Sequence, residues 1–452
     1  MSWAKAELSG ANLGDKRRNK RLVKIVEDLA QQPNESVPQA SRDKAAMEAT
    51  YEFWANRRIE ASQIIAAHTN STIERIKEHQ VVLAIQDKTE LDLGKRQRTR
   101  GIGAIGNQAA KGLHLHTVLA VSESGVPLGL LEEKMWAREK VRKGKGVKER
   151  RKKIAEKESY RWLESQDRSQ NLIPPEISVI TIADREADIY ELFAQPRRKG
   201  SHLLIRAAQN RRIKKVDQER VKLFETLRSV EPCGEKRLEL QRTPRRKARL
   251  ARLTVRLTTV ELQPPTGKAE IQPGIVVQAI LAEEENPPAV EKAVSWLLLT
   301  TLPVVNYRDA CDCLEKYAAR WLIERFHYVL KSGCGVEELQ LETAARMEKA
   351  IFTYAIVAWR LLWLTYEARK NPEKKIDRVL NEQEWKVLCL ATEKNKALPT
   401  QSPTLREGVR KIASLGGFLG RKGDGEPGVK TLWRGWQRLK DMVIGWQLMN
   451  EE

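Results

Sequence analysis

Two apolar runs limit what this chain can become. Val81-Val-Leu-Ala-Ile-Gln-Asp87 and Ile177-Ser-Val-Ile-Thr-Ile-Ala-Asp184 read as strands, each closing on an aspartate. The second has no polar side, so it fits a strand buried on both faces, which helices must cover. Both carboxylates are then expected at the C-terminal ends of strands in an α/β fold. A third acid sits on a different element. Tyr317-x2-Arg320-x3-Glu324-x6-Lys331 reads as one helix, and at about 100° per residue these four side chains fall within about 60° of one another. Leu322, Ile323, Phe326 and Leu330 take the opposite face. Taken singly, each aspartate also reads as a helix cap, and Glu324 as an i,i+4 partner of Arg320. Taken together, Asp87, Asp184 and Glu324 suit hard divalent cations, which need converging carboxylates. Two such ions about 3.5 to 4 Å apart can clamp both oxygens of a phosphodiester displacement.

Longer segments carry a resemblance. Ile182-Ala-Asp-Arg-Glu-Ala-Asp-Ile-Tyr190 and the Tyr-Arg-Glu-Lys helix resemble the signatures of the Tn-five-like, insertion-sequence-four family of DDE transposases. Leu13-Gly-Asp-Lys-Arg-Arg-Asn-Lys-Arg-Leu22, Ser295-Trp-Leu-Leu-Leu-Thr300 and Leu415-Gly-Gly-Phe-Leu-Gly-Arg421 are similar to further segments of that family, so the likeness runs nearly the whole length. It implies a ribonuclease-H-like catalytic core with a β-rich insertion, flanked by helical N-terminal and C-terminal domains. It also implies that Asp87, Asp184 and Glu324 are catalytic and hold two Mg2+ ions, with Mn2+ as a substitute. Tyr317, Arg320 and Lys331 would grip phosphate, Trp296 would stack a base flipped out beside the cut, and Arg206 would help hold that strand. Taken on its own, a tryptophan in Trp-Leu-Leu-Leu reads as core. Arg325, Tyr328 and Lys88 depart from the family pattern near the acids.

Charge agrees with a polyanionic partner. The net charge is +21, and it is concentrated: Lys140 to Lys157 holds ten Lys or Arg against two acids, and Arg197 to Arg256 twenty against six. One such run is ordinarily a solvated face, whereas two flanking the Asp184 strand favour a polyanion bound across the site. A hydrophobic fraction of 41% rules out wholesale disorder. Apolar runs such as Trp359-Arg-Leu-Leu-Trp-Leu364 are too short to span a membrane, and the N-terminal residues lack an apolar signal core, so a cytoplasmic, nucleoid-associated bacterial protein is expected. Cysteines 233, 311, 313, 334 and 389 form no even framework and read as reduced thiols.

Along the chain, residues 1–70 read as a small basic helical unit, with Asp15 capping a helix to Ala30 and further helices over 41–68. Residues 71–370 read as the catalytic domain. It includes a hairpin of His114–Val121 and Val126–Leu131 around Ser124-Gly125, and a β-rich insertion over about 207–295. Residues 371–452 read as a helical interaction and dimerisation domain containing Trp433, Trp436 and Trp446; those tryptophans equally suit a local core. Gly101-Ile-Gly-Ala-Ile-Gly106 spells a dinucleotide fingerprint but lacks the strand before it and the helix after it. His114 and His116 alternate on one strand face without a third zinc ligand.

The expected protein is a DNA transposase that excises and rejoins an insertion sequence by two-metal phosphoryl transfer, through a DNA hairpin. Its partners would be double-stranded DNA, as terminal inverted repeats and as target, and a second copy of itself; no membrane partner is expected. A metal-dependent nuclease that never joins, and a catalytically silent DNA-binding regulator, are the competing readings.

Overall fold

The computed structural model describes residues 2–94, 99–106, 110–138, 153–214, 221–240, 248–265, 273–289, 291–393 and 398–450. Most of the basic run from Lys140 to Lys157, and parts of the run from Arg197 to Arg256, lie outside them. In chain order the main elements begin with helices α1 (Lys16–Gln31), α2 (Lys44–Ala55) and α3 (Ala61–Ile76), then strands β1 (Val81–Asp92), β2 (Gly103–Ile105), β3 (Ala110–Ser122) and β4 (Pro127–Trp136). Next come α4 (Tyr160–Leu172), β5 (Ser178–Ala183), α5 (Tyr190–Ala194) and β6 (Ser201–Arg206). Strands β7 (Gly234–Leu240), β8 (Arg249–Leu262), β9 (Ile275–Glu283) and β10 (Ser295–Thr300) follow. The rest is helical: α6 (Tyr307–Ala318), α7 (Trp321–Tyr328), α8 (Ala344–Lys370), α9 (Glu382–Thr392), α10 (Leu405–Leu415) and α11 (Val429–Met449).

These elements form two compact units that interleave in sequence. One comprises residues 1–78, 88–142 and 322–452, and the other 79–87 and 143–321. The chain therefore changes unit inside β1 and inside α7. Helix α3 carries straight through residue 70.

The unit of residues 79–87 and 143–321 is built on a mixed sheet. The first half of β1 pairs parallel with β5, which pairs parallel with β6; β10 then runs antiparallel to β6, followed by β9, β8 and β7 in antiparallel order. Strand β5 is buried on both sides, as its unbroken apolar run requires. Ala183, Leu203, Ile205, Leu297 and Leu299 point to one face, where Trp162 of α4 and Phe193 of α5 complete a core. Residues two apart share a face of a strand, so the intervening positions Leu204, Arg206, Trp296 and Leu298 belong to the other face. The β-rich segment appears where the turns place it, although β8 is longer than the run Ala248–Leu257 suggests.

In the other unit, Asp15 caps α1 by accepting the Arg17 amide at 2.8 Å, and Leu22, Ile25, Val26 and Leu29 are buried. Lys16, Arg17, Lys20 and Lys24 of the same helix stay exposed. Strands β3 and β4 form the expected hairpin, turning at Gly125 with φ +88°. Only glycine takes that conformation without strain.

Helices α3 and α8 clasp this hairpin through one buried network. Glu7 is bound by Arg75 through two hydrogen bonds of 2.8 and 2.9 Å and by His68 Nδ1 at 2.6 Å. His68 Nε2 accepts the Leu130 amide at 2.9 Å, and burial pushes the imidazole pKa down while Glu7 holds it up. The Arg75 guanidinium lies 4.3 Å from the centre of the Trp359 ring, whose indole N–H donates to the Pro127 carbonyl at 3.0 Å. At the C-terminal end, Trp433 and Trp436 are buried, with Trp436 in a core of α9, α10 and α11; Trp446 is exposed.

Two expectations are corrected. Strand β1 does not end at Asp87 but continues to Asp92; what ends there is its pairing with β5, at Gln86↔Ala183. The Tyr317 to Lys331 segment is not one helix. Helix α6 stops at Ala318, Ala319 and Arg320 form a tight turn, α7 restarts at Trp321, and Val329–Gly333 is a wider π turn. The apolar stripe explains the break. Ala310, Cys313, Leu314 and Tyr317 are buried at helical spacing, so an unbroken helix would next bury position 320 or 321 and then 324. Those positions hold Arg, Trp and Glu, and the stripe resumes out of phase at Leu322, Ile323 and Phe326.

Candidate active site

The sheet register assembles most of the site. Gln86 pairs with Ala183, and Ala183 with Ile205, so the next residues, Asp87, Asp184 and Arg206, continue as one row across three parallel strands. Arg206 is in turn opposite Leu298 of β10, with Trp296 two residues away on the same face. Adjacent strands stand about 4.8 Å apart, which brings the two aspartates side by side on the face opposite the α4 and α5 core. The row exists because three strands stop pairing in step: β5 and β6 finish together, and the pairing of β1 with β5 stops there while β1 runs on.

Each side chain in the row is held. Asp184 is both a strand-end acid and a cap, its Oδ1 accepting the Glu186 amide at 2.8 Å to start the turn Arg185–Ala187. Asp87 is bound by Arg320 at 3.1 Å, with both side chains mostly buried. The α6–α7 break is what delivers Arg320 to Asp87, because it sits in the turn.

Tyr317 is buried at the end of α6, and Trp296 meets its ring edge-on at 5.5 Å. Trp296 itself is half-buried. Arg206 donates to the Ser295 carbonyl at 2.8 Å, pinning β6 to the start of β10, and its guanidinium lies beside the Tyr317 hydroxyl. Burial pushes the Tyr317 hydroxyl up, against the opposing pull of Arg320 and Arg206, and Asp184 adds to the rise. Burial likewise pushes Arg206 down, and its cationic neighbours Arg185 and Arg320 add to the drop while Tyr317 opposes it. Three guanidiniums thus crowd one corner, an arrangement suited to an anion. A cavity of about 420 Å³ opens there, lined by Arg185, Arg206, Lys292, Ser295 and Trp296.

Glu324 and Lys331 belong to the other unit. Glu324 lies half-buried in the first turn of α7, four residues along the chain from Arg320. Leu322, Ile323 and Phe326 of that helix are buried, and so is Leu330 in the π turn that follows, as the apolar pattern implies. Lys331 sits in that π turn, where its ammonium donates to the Glu90 carbonyl and stands 3.7 Å from Glu337. π turns inside helices recur at functional sites.

One residue of the site escaped the sequence reading. Asp188, the second aspartate of Asp-Arg-Glu-Ala-Asp, is 2% exposed. It accepts the Ala208 and Gln209 amides at 2.8 and 3.0 Å and binds Arg211. It therefore fixes the chain leaving Arg206. Its signal was position: four residues after Asp184, inside a run too apolar at Ala187 and Ile189 for a solvated acid.

A divalent cation fits the donor set of the row. Asp87 and Asp184 offer hard carboxylate oxygens from rigid neighbouring strands, the type Mg2+ and Mn2+ take. Among the described residues no three His, Cys, Asp or Glu side chains form a ready metal cage. His114 and His116 are buried sheet residues, His114 stacked on Trp136 and within 3.2 Å of the Ala104 carbonyl. All five cysteines are free thiols. Gly103–Ile105 is an edge strand on β3, not a phosphate loop.

Three family models match the chain. Residues 1–59 match a transposase DNA-binding domain, 168–360 a transposase DDE domain, and 356–450 the dimerisation domain of Tn5 transposase. The DDE match contains Asp184, Glu324, Tyr317, Arg320, Lys331, Trp296 and Arg206; Asp87 precedes it.

Proposed function

We propose, for a chain that carries the DNA-binding, DDE and dimerisation modules of a Tn5-like DDE transposase, that it excises an insertion sequence and inserts it elsewhere through a DNA hairpin. The observation that carries this reading is the row of Asp87, Asp184 and Arg206 on adjacent strands, with Arg320 bound to Asp87 and Trp296 beside Tyr317. Glu324 is the third acid on the strength of its place in the chain, one turn into the helix that follows Arg320. When bound to these acids, two divalent ions would generate hydroxide from water and stabilise the leaving 3′ oxygen.

The protein's own groups then have separable tasks. Arg320, Arg206 and Lys331 hold phosphate oxygens by charge-assisted hydrogen bonds, and Tyr317 adds a neutral hydroxyl, since burial keeps it protonated. Trp296, half-buried beside a 420 Å³ cavity, is placed to stack an extruded base. The exposed lysines and arginine of α1 face the element's terminal repeats, residues 371–452 join two copies, and Mg2+ is the working metal. No helix among the described residues is long and apolar enough to cross a membrane.

The test is a nicking and joining assay on DNA carrying the element's ends, with gel shifts alongside. Asp87→Ala, Asp184→Ala and Glu324→Ala should each abolish cleavage and leave end binding largely intact. Any one of them nicking at near the parental rate removes that residue from the triad. Nicks without joined products would make the protein a nuclease.

A further inference from the structure

Within the unit of residues 1–78, 88–142 and 322–452, a buried polar chain leads to the helix that carries Glu324. Thr117 on β3 stands between two partners, 2.8 Å from Glu133 Oε2 on β4 and 3.1 Å from His327 Nε2 on α7. All three residues are shut away from water, at 0%, 7% and 6% exposed. Neither end of the chain behaves as a charge. Among the described residues Glu133 has no cationic partner, and burial, with Glu132 beside it, pushes its carboxyl well above the usual range. Burial, with Lys331 nearby, pushes His327 down to about 3. A neutral acid, a hydroxyl and a neutral imidazole are therefore linked in a place where apolar side chains would pack at lower cost. The hairpin does not need them, since Leu115, Val118, Leu119, Leu130 and Leu131 already fill its buried positions.

Position explains their presence. His327 is one helical turn from Glu324, and residues three apart on a helix share a side. Helix α7 is only eight residues long and lies between a tight turn and a π turn, so its own hydrogen bonds fix its rotation poorly. Apolar contacts at Leu322, Ile323 and Phe326 are non-directional. A hydrogen bond from His327 to a threonine on a rigid hairpin is directional and sets the helix about its axis.

We propose that His327, Thr117 and Glu133 are positioning residues that set the rotation of α7 and thereby aim the Glu324 carboxylate. This rests on the reading of Glu324 as the third metal-binding acid. Their work is done by uncharged hydrogen bonds, so the chain requires polar shape at each link and no net charge. Glu133→Gln should therefore be tolerated, whereas breaking the middle link should not.

The test compares Thr117→Val, Thr117→Ser and Glu133→Gln in the full chain. Thr117→Val should slow the first nick at saturating DNA by about tenfold to a hundredfold, the cost of an active-site group displaced by about 1 Å. Thr117→Ser and Glu133→Gln should stay within about threefold of the parent. Calorimetric titration of Mn2+ into the protein–DNA complex supplies a readout independent of turnover, and Thr117→Val should bind the ion about tenfold more weakly. Gel shifts should not change. If Thr117→Val does not fold, His327→Leu breaks the other link with a side chain that suits its buried site, and the same losses are expected.

Parental nicking rate and Mn2+ affinity in Thr117→Val, or in His327→Leu if that variant is needed, would overturn the proposal. So would a loss in rate that merely tracks the fraction unfolded in a melt at the assay temperature. If the parent protein itself neither nicks DNA nor binds Mn2+ in its DNA complex, the transposase reading fails instead.

Discussion

Glu7→Gln should weaken the clasp around the β3–β4 hairpin by an amount that depends on pH. Burial opposes ionisation of Glu7, but His68 and Arg75 outweigh it and hold the carboxyl at about 2, against an ordinary 4.5. A carboxyl held down by that margin contributes about 3 kcal/mol of stability. The sign follows from the depressed value. The contribution is full above pH 4.5, where the unfolded chain also carries the charge, and it is lost as pH falls from there toward 2. At pH 3.5 about 1 kcal/mol of it is gone. The amide of Gln keeps the size and can still accept from His68, but it cannot balance Arg75. The variant should therefore lose about 3 kcal/mol at pH 7 and about 2 kcal/mol at pH 3.5. Hydrogen exchange of α3 amides measures this locally and avoids treating a chain of two units as a single two-state system. The same penalty at both pH values, or a penalty under about 1 kcal/mol at pH 7, would show that the ion pair adds nothing beyond packing.

Two further outcomes follow from the geometry. Trp296→Ala should cost about 2 kcal/mol, less than full core truncation, because the ring is half-buried with one edge-on contact to Tyr317. It should leave the first nick nearly normal and slow hairpin formation in a time course; hairpins formed at the parental rate would remove the stacking role. Gly129→Ala should destabilise by more than about 1 kcal/mol, since its φ is +153° and a Cβ there would sit 1.9 Å from Thr72 Oγ1. A melt matching the parent would mean that α3 can move away from β4 at little cost.

Much of this was legible in the residues, for reasons that differ by element. The α1 helix could be read because its cap, apolar stripe and basic face agree. The hairpin could be read because Ser124-Gly125 breaks two apolar runs and Gly125 needs a positive φ. Asp87 and Asp184 were visible because an acid closing an apolar strand stands out. The broken Tyr317 to Lys331 helix was missed because spacing was tested on four polar residues, while the shift in phase lies in the buried ones. The overrun of β1 to Asp92 was missed because Lys88, Thr89 and Glu90 resemble a loop, although Leu91 and Leu93 continue a buried set. Asp188 and the Glu133–Thr117–His327 chain depend on partners far away in sequence. The interleaving of the two units depends on long-range packing that no local pattern records.

On the proposed function, the row of Asp87, Asp184 and Arg206 also sets when, during synthesis, the catalytic centre can assemble. The α1–α3 helices leave the ribosome first but pack on the β3–β4 hairpin and on α8, which is made much later. Asp87 gains its neighbour only when β5 arrives nearly a hundred residues later, and β6 gains its antiparallel partner only when Ser295–Thr300 emerges. Pairings between such distant segments form late. Arg320 and Glu324 come later still, so an interrupted translation product ending before them would lack the third acid of the proposed triad and also α8, on which the N-terminal helices pack. Prematurely terminated chains should then be unable to cut DNA.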